Sequence, residues 1–203
     1  MHRAHEMIIA GFGGQGVLSM GQILSYGAMI DGKEVSWMPS YGPEMRGGTA
    51  NCMVIIAESR ISSPIVSRFD SAVVLNQPSL DKFEGSIKPG GMLFFEESAM
   101  IRPPTRTDIE VLAIPAQQEA VKLGKKQIAN MVMLGAFLQR CPLVKPESVL
   151  EALKGVLPER HHHLLPMNKL ALLAGIEFAY RAERSSMRTF ARPGAGIPSE
   201  RNN

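Results

Sequence analysis

Cysteine is almost absent from this chain: Cys52 and Cys141 are the two among 203 residues. They form no CxxC pair, and spacing alone assigns them no disulfide. An iron–sulfur cluster needs about four thiolates, so the chain cannot supply a cluster's ligands by itself. Long apolar runs are missing too; the cleanest extend about ten residues, well short of the ~20 of a membrane helix. No charged segment followed by an apolar core opens the sequence, so no secretory signal is read. A soluble cytoplasmic chain with free thiols is the expectation. There is no GxSxG, no P-loop, and no GDG-plus-Asn segment of the kind that binds thiamine diphosphate through a metal. Nor does one sign of charge dominate. The net charge is +3, and Arg188, Arg192 and Arg201 against Glu200 place two of those charges in the last eighteen residues. A near-neutral body carries no basic stripe, which excludes a nucleic-acid surface.

What is present suffices for a core, with 45% hydrophobic residues in a chain of single-domain length. "EMIIA" is an apolar run ending at glycine and reads as a buried strand. Val17, Met20, Leu24 and Ala28 then recur at helical spacing, until Asp31-Gly32 ends the helix before a second strand, "KEVSWM". "TANCMVIIAE" reads as a third strand, and "SRISSP" as turn material carrying a short hairpin. "SAVVLNQPS" is a strand that stops at Asn76, with a helix from near Pro78. "KPGGMLFFEES" gives a turn and a strand, "IEVLAIPA" another strand, and "AQQEAVKLG" a helix closed by Gly124. Three helical stretches follow from Gln127. This order predicts an α/β fold: a mostly parallel, Rossmann-like sheet with helices on both faces and a C-terminal helical layer. Residues 1–186 are read as one domain and 187–203, rich in Gly, Pro and Arg, as a flexible tail.

Two motifs carry possible chemistry. Gly11, Gly13 and Gly16 in "GFGGQG", with Gly14 and Gln15 between them, fit GxGxxG after a strand and before a helix. Such a turn suits an anion at a helix N-terminus, or merely close packing. A dinucleotide site also wants an acid at the end of the second strand, and "VSWMPSY" has none there, which counts against an independent NAD(P)-binding dehydrogenase. The second motif is "SYGPEMRGGTANC", Ser40–Cys52, restrained by Pro43 and loosened by Gly47-Gly48. Its Arg46 could fork onto a phosphate, a carboxylate or a partner's acid. An internal Glu44–Arg46 pair reads equally well. The tract His161–His163 has no acid or cysteine at ligand spacing and reads as an exposed linker between helices. Asn130 and Asn168, inside apolar helical stretches, read as structural amides.

"AGFGGQG", "SYGPEMRGGTANC", "LNQPSLDKF", "KPGG" and "ANMVMLGA" occur in this order. Together they resemble the gamma subunit of 2-oxoacid:ferredoxin (or acceptor) oxidoreductases, the 2-oxoglutarate type above all. The likeness runs from about Glu6 to about Ala182. The small subunit of indolepyruvate ferredoxin oxidoreductase is the near alternative. The resemblance implies a complex that converts a 2-oxoacid and coenzyme A to an acyl-CoA, carbon dioxide and reduced acceptor. Thiamine diphosphate and magnesium would lie between alpha and beta subunits, and iron–sulfur clusters on other subunits or domains, a delta subunit among the partners where one exists. The gamma chain would have no catalytic centre or metal site and would be inactive alone. It would serve assembly and coenzyme A access, and its exposed partner face would let it self-associate. The residues this implies at the coenzyme A or partner face are Gly11, Gly13, Gly14, Gln15, Gly16, Tyr41, Glu44, Arg46, Gly47, Thr49 and Asn51. The turn and the loop are expected on one carboxyl edge of the sheet, with Arg46 on an anionic group and Gln15 and Tyr41 supplying hydrogen bonds.

Overall fold

The computed structural model describes residues 4–40 and 49–190, the side chains of 186–190 excepted. Tyr41, Glu44, Arg46 and Gly47 lie outside the described residues, as do residues 191–203. The strands are β1 (His5–Phe12), β2 (Glu34–Ser40), β3 (Thr49–Ala57), β4 (Phe69–Val74), β5 (Ile87–Glu96) and β6 (Glu110–Ile114). They form one sheet in the order β2-β3-β1-β4-β5-β6. β1, β4, β5 and β6 run parallel. β3 runs against both β1 and β2, so β2 shares the direction of the others and β3 alone is reversed.

β1 is an unbroken apolar run because it is covered on both sides. Met7 and Ile9 belong to one core, and Ile8 and Ala10 to the other. The larger core carries α1 (Val17–Ile30), α3 (Ala116–Lys122), α4 (Ala129–Arg140), α5 (Pro146–Val156) and α6 (Leu165–Phe190). The smaller holds α2 (Gln77–Phe83) and the segments around Val66, Met100 and Ile109. Helices therefore lie on both faces, unevenly. Asn76 starts α2 as expected: its Oδ1 accepts the Ser79 N–H at 2.9 Å, with Pro78 in the first turn.

The C-terminal layer is a pair of glycine-mediated contacts. A β-carbon on Gly135 of α4 would lie 2.0 Å from the Leu172 carbonyl of α6, and one on Gly175 would lie 2.0 Å from the Val132 carbonyl. The two helices thus pack backbone to backbone. The segment read as a tail from 187 begins inside α6, which continues to Phe190.

One expectation is corrected. "SRISSP" forms no hairpin: residues 58–68 are irregular and carry the chain past β1, from β3 on one side to β4 on the other. β3 already has partners on both sides, so a returning strand had no free edge to pair with.

Candidate functional site

Strand direction sets the site. β1, β2, β4, β5 and β6 all end on one edge, where open α/β sheets place their ligands. The chain leaves β1 toward α1 and β2 on one side, and β4 and β5 lie on the other. The crevice between the ends of β1 and β4 is thus the point where the topology reverses.

The glycine turn stands at this crevice. Gly11, next to last in β1, sits among tight neighbours: a β-carbon there would lie 2.9 Å from Leu75 Cβ and 3.0 Å from Val17 Cγ2. Gly13 follows Phe12 in the turn, and Gly14 and Gly16 hold φ of 87° and 78°. Gln15 braces the turn. Its Oε1 accepts the Phe12 N–H at 2.6 Å, and its Nε2 donates to the Leu75 carbonyl at 3.1 Å, linking the ends of β1 and β4. Gly16 caps α1 without a side-chain hydrogen bond. A β-carbon at Gly16 would come within 2.4 Å of Asn130 Nδ2, so the glycine admits the first turn of α4. Asn130 packs against Gly16 and also lines the cavity beside the turn. Asn168 has the structural role read from sequence, its Nδ2 donating to the Leu164 carbonyl at 2.9 Å.

The second motif reaches the same edge through its ends. Thr49 pairs with Phe12, and Asn51, buried, pairs with Ala10 on one side and Ser40 on the other. The residues bounding 41–48 therefore lie beside the glycine turn. Sequence reasoning expects both segments on this edge; of the second, only the flanks lie among the described residues.

It missed a third group. A cavity of about 320 Å³ opens between the turn and the start of α4, lined by Gly14, Leu75, Glu96, Gln117, Lys126 and Asn130 among others. Glu96, the last residue of β5, is 2% exposed. Its Oε1 accepts the Gln117 N–H at 3.2 Å; its Oε2 accepts Gln117 Nε2 at 3.2 Å and Ser98 Oγ at 2.8 Å. The only available signal was an acid closing the strand "FFE".

The other candidate chemistries are quiet. Burial pushes both Cys52 and Cys141 up to about 12, although Trp37 pulls the first back in part and the Arg140 charge the second. His161–His163 lie in a 3-10 connector, Glu159–Leu164, where His162 Nε2 faces the Leu157 carbonyl at 2.9 Å. Among the described residues no three His, Cys, Asp or Glu side chains converge as metal ligands, and no helix is long and apolar enough to cross a membrane.

A mixed sheet with one reversed strand and a glycine turn at its switch point defines a Rossmann-like α/β subunit fold. Residues 6–178 match the Pyruvate ferredoxin/flavodoxin oxidoreductase family, and the chain belongs to it. It is 40% identical over 172 residues to the ketoisovalerate oxidoreductase subunit VorA of Methanothermobacter thermautotrophicus, covering 84% of this chain and 35% of VorA. The chain thus spans about a third of the length of that relative. It is 35% identical to the 2-oxoglutarate synthase subunit KorC of Methanocaldococcus jannaschii, covering 86% of this chain and 93% of KorC. Among solved structures it resembles the keto/oxoacid ferredoxin oxidoreductase gamma subunit of Geobacter sulfurreducens. The TM-score is 0.76 at 29% identity, over 87% of this chain and 99% of that one. The chain is of the gamma-subunit type.

Proposed function

We propose that this chain works as the gamma subunit of a thiamine-dependent 2-oxoacid:ferredoxin or acceptor oxidoreductase in the cytoplasm. The reaction takes a 2-oxoacid and coenzyme A to an acyl-CoA and carbon dioxide, releasing two electrons and two protons, the electrons going to ferredoxin or another acceptor. The observation that carries this reading is the match to KorC over nearly the whole of both chains. The substrate class is a 2-oxoacid of the 2-oxoglutarate or branched-chain kind, in line with the names of the two relatives.

The chain's own residues do not fit the redox groups of such a complex. Two buried thiols, one in β3 and one after α4, cannot ligate a cluster. Alpha and beta subunits would hold those groups. The gamma chain would dock against them through the carboxyl edge, with the 41–48 segment and the glycine turn along the path of coenzyme A. Arg46 would meet an anionic group of coenzyme A or an acid of a partner, with Tyr41 and Gln15 adding hydrogen bonds.

Co-purification tests the subunit reading. Native extract should yield this chain with others carrying thiamine diphosphate and iron, active on 2-oxoglutarate or 2-oxoisovalerate when both are assayed. Isolation without such chains would overturn it. In the assembled complex, Arg46→Ala should raise the coenzyme A requirement or loosen the assembly. Unchanged kinetics together with unchanged assembly would remove Arg46 from that role.

A further inference from the structure

β2 is an outer strand of the sheet, and among the described residues no strand pairs with its outer side. The two outer strands are not protected alike. β6 has five residues and begins with Glu110, which holds Arg140 at 2.6 Å. A short edge carrying charge resists pairing with another chain. β2 has seven residues, EVSWMPS, and bears no charge after Glu34. Pro39 withholds one N–H near its end, and no charged side chain covers the rest.

The helix beside this edge shares its character. α1 lies against β2, since a β-carbon on Gly21 would stand 3.0 Å from Trp37 Nε1. A surface helix ordinarily turns charged residues to water, yet α1 has no charged residue in its fourteen positions. Its outer face carries Tyr26, Met29 and Ile30 instead, 46%, 57% and 46% exposed. They line a groove with Glu151, Ala152 and Gly155 of α5. On the other face of β2, Met38 is 38% exposed. Single apolar residues on a surface need no explanation; a group of them beside an open ladder does.

We propose that a second copy of this chain closes this edge, β2 pairing antiparallel with its own image about a two-fold axis normal to the sheet. Pairing centred on Trp37 sets Glu34 opposite Ser40 and Val35 opposite Pro39, so no like charges meet. The axis keeps both α1 helices on one face of a sheet of twice six strands, where Tyr26, Met29 and Ile30 flank it. An uncharged flank offers nothing for a charged partner to recognise, and nothing that repels its own copy. β2 runs about 23 Å, and sheet plus helix are about 20 Å deep. Two such flanks bury on the order of 1,000–1,200 Å², the low end for a stable pair. The dimer is therefore a weak one. The outer side of β2 faces away from the carboxyl edge, so the inference goes beyond the subunit reading and does not rest on it.

The test is sedimentation equilibrium of the full chain over about 1–200 µM, the range expected of a small interface. The mass should rise from 22.1 kDa toward twice that value. Met38→Lys and Met29→Lys, at exposed sites that tolerate lysine, each add a charge to both halves of the interface. Each should weaken the dimer at least about tenfold. Leu173→Lys, on the exposed face of α6, should leave it unchanged. In hydrogen exchange, amides of β2 should slow as concentration rises, those of β6 should not. A monomer at every concentration would overturn the proposal. So would a dimer that both methionine variants leave intact, or one that Leu173→Lys dissociates in their place.

Discussion

Asn130 rests on the α-carbon of Gly16: a β-carbon at position 16 would stand 2.4 Å from its Nδ2 and 2.9 Å from its Cγ. The third glycine of the turn therefore serves helix packing as well as backbone conformation. Gly16→Ala adds left-handed strain, at φ 78°, to this clash. It should lower unfolding free energy by about 2–4 kcal/mol. Urea titration of the double variant Gly16→Ala/Asn130→Ala should recover the packing part and not the backbone part. A double variant no better than the single would show that the contact does not matter.

The close approach of α4 and α6 makes a sharper prediction. Gly135→Ala or Gly175→Ala would drive a β-carbon into a facing carbonyl that has no flexible side chain to yield. Each should cost about 3 kcal/mol or more and lower the melting temperature. Gly155→Ala in α5, which meets nothing within 4 Å, should instead stabilise by about 0.5–1 kcal/mol through helix propensity. Thermal melts of the three variants check the contrast.

A charged cluster closes the opposite edge of the sheet. Lys88 Nζ stands 2.6 Å from Glu6 Oε2 and 2.9 Å from Asp70 Oδ2, and Asp70 also accepts the Glu6 N–H at 2.9 Å. Burial alone would push Asp70 up, but the Glu6 N–H and Lys88, with a contribution from His5, hold it below its ordinary value. Burial likewise works against the charge on Lys88, yet Glu6 and Asp70 raise it above its usual range. A lowered carboxyl stabilises the fold above its unfolded value, near 3.9, and loses that contribution as pH falls through the folded value. A raised amine stabilises below its unfolded value, near 10.4, and loses it as pH rises through the folded one. Between those limits the cluster is fully effective. Asp70→Asn should cost about 1.5–3 kcal/mol at pH 7 and flatten the acid limb of a stability-against-pH curve; an unchanged limb would contradict this.

Both thiols should be silent in the native state. With values near 12 for Cys52 and Cys141, the thiolate fraction at pH 8 is on the order of one in ten thousand. A disulfide reagent should label neither until denaturant is added, then both together. Rapid labelling of the folded chain would refute the packing around β3 and the end of α4.

Much of this was legible in the residues. β1, β3 and β4 showed themselves as apolar runs because both faces of the central sheet are buried. α1 declared its period through Val17, Met20, Leu24 and Ala28, all buried in the structure. The reversal of β3 was not visible, since strand direction depends on which edge the chain reaches, and Thr49–Ala57 carries no mark of it. The hairpin expected at "SRISSP" failed for a related reason. Its serines and proline suit any loop, and the partner of β3 was β1, some forty residues earlier. At the site, the turn and the flanks of the second motif could be brought together on topology alone. Glu96 could not, because its partner Gln117 lies 21 positions on and no local pattern joins them.

The reversed strand has a mechanical consequence. Ser40 and Thr49 bound the 41–48 segment from adjacent, hydrogen-bonded strands, and Ser40 is locked opposite Asn51. Neighbouring strands lie about 5 Å apart and Thr49 stands two residues along β3 from the partner of Ser40, so the two anchors cannot separate without breaking the ladder. Ser40 and Thr49 are thus fixed points on the sheet's rim. Any rotation of the whole sheet against a neighbouring body is delivered undiminished to those anchors.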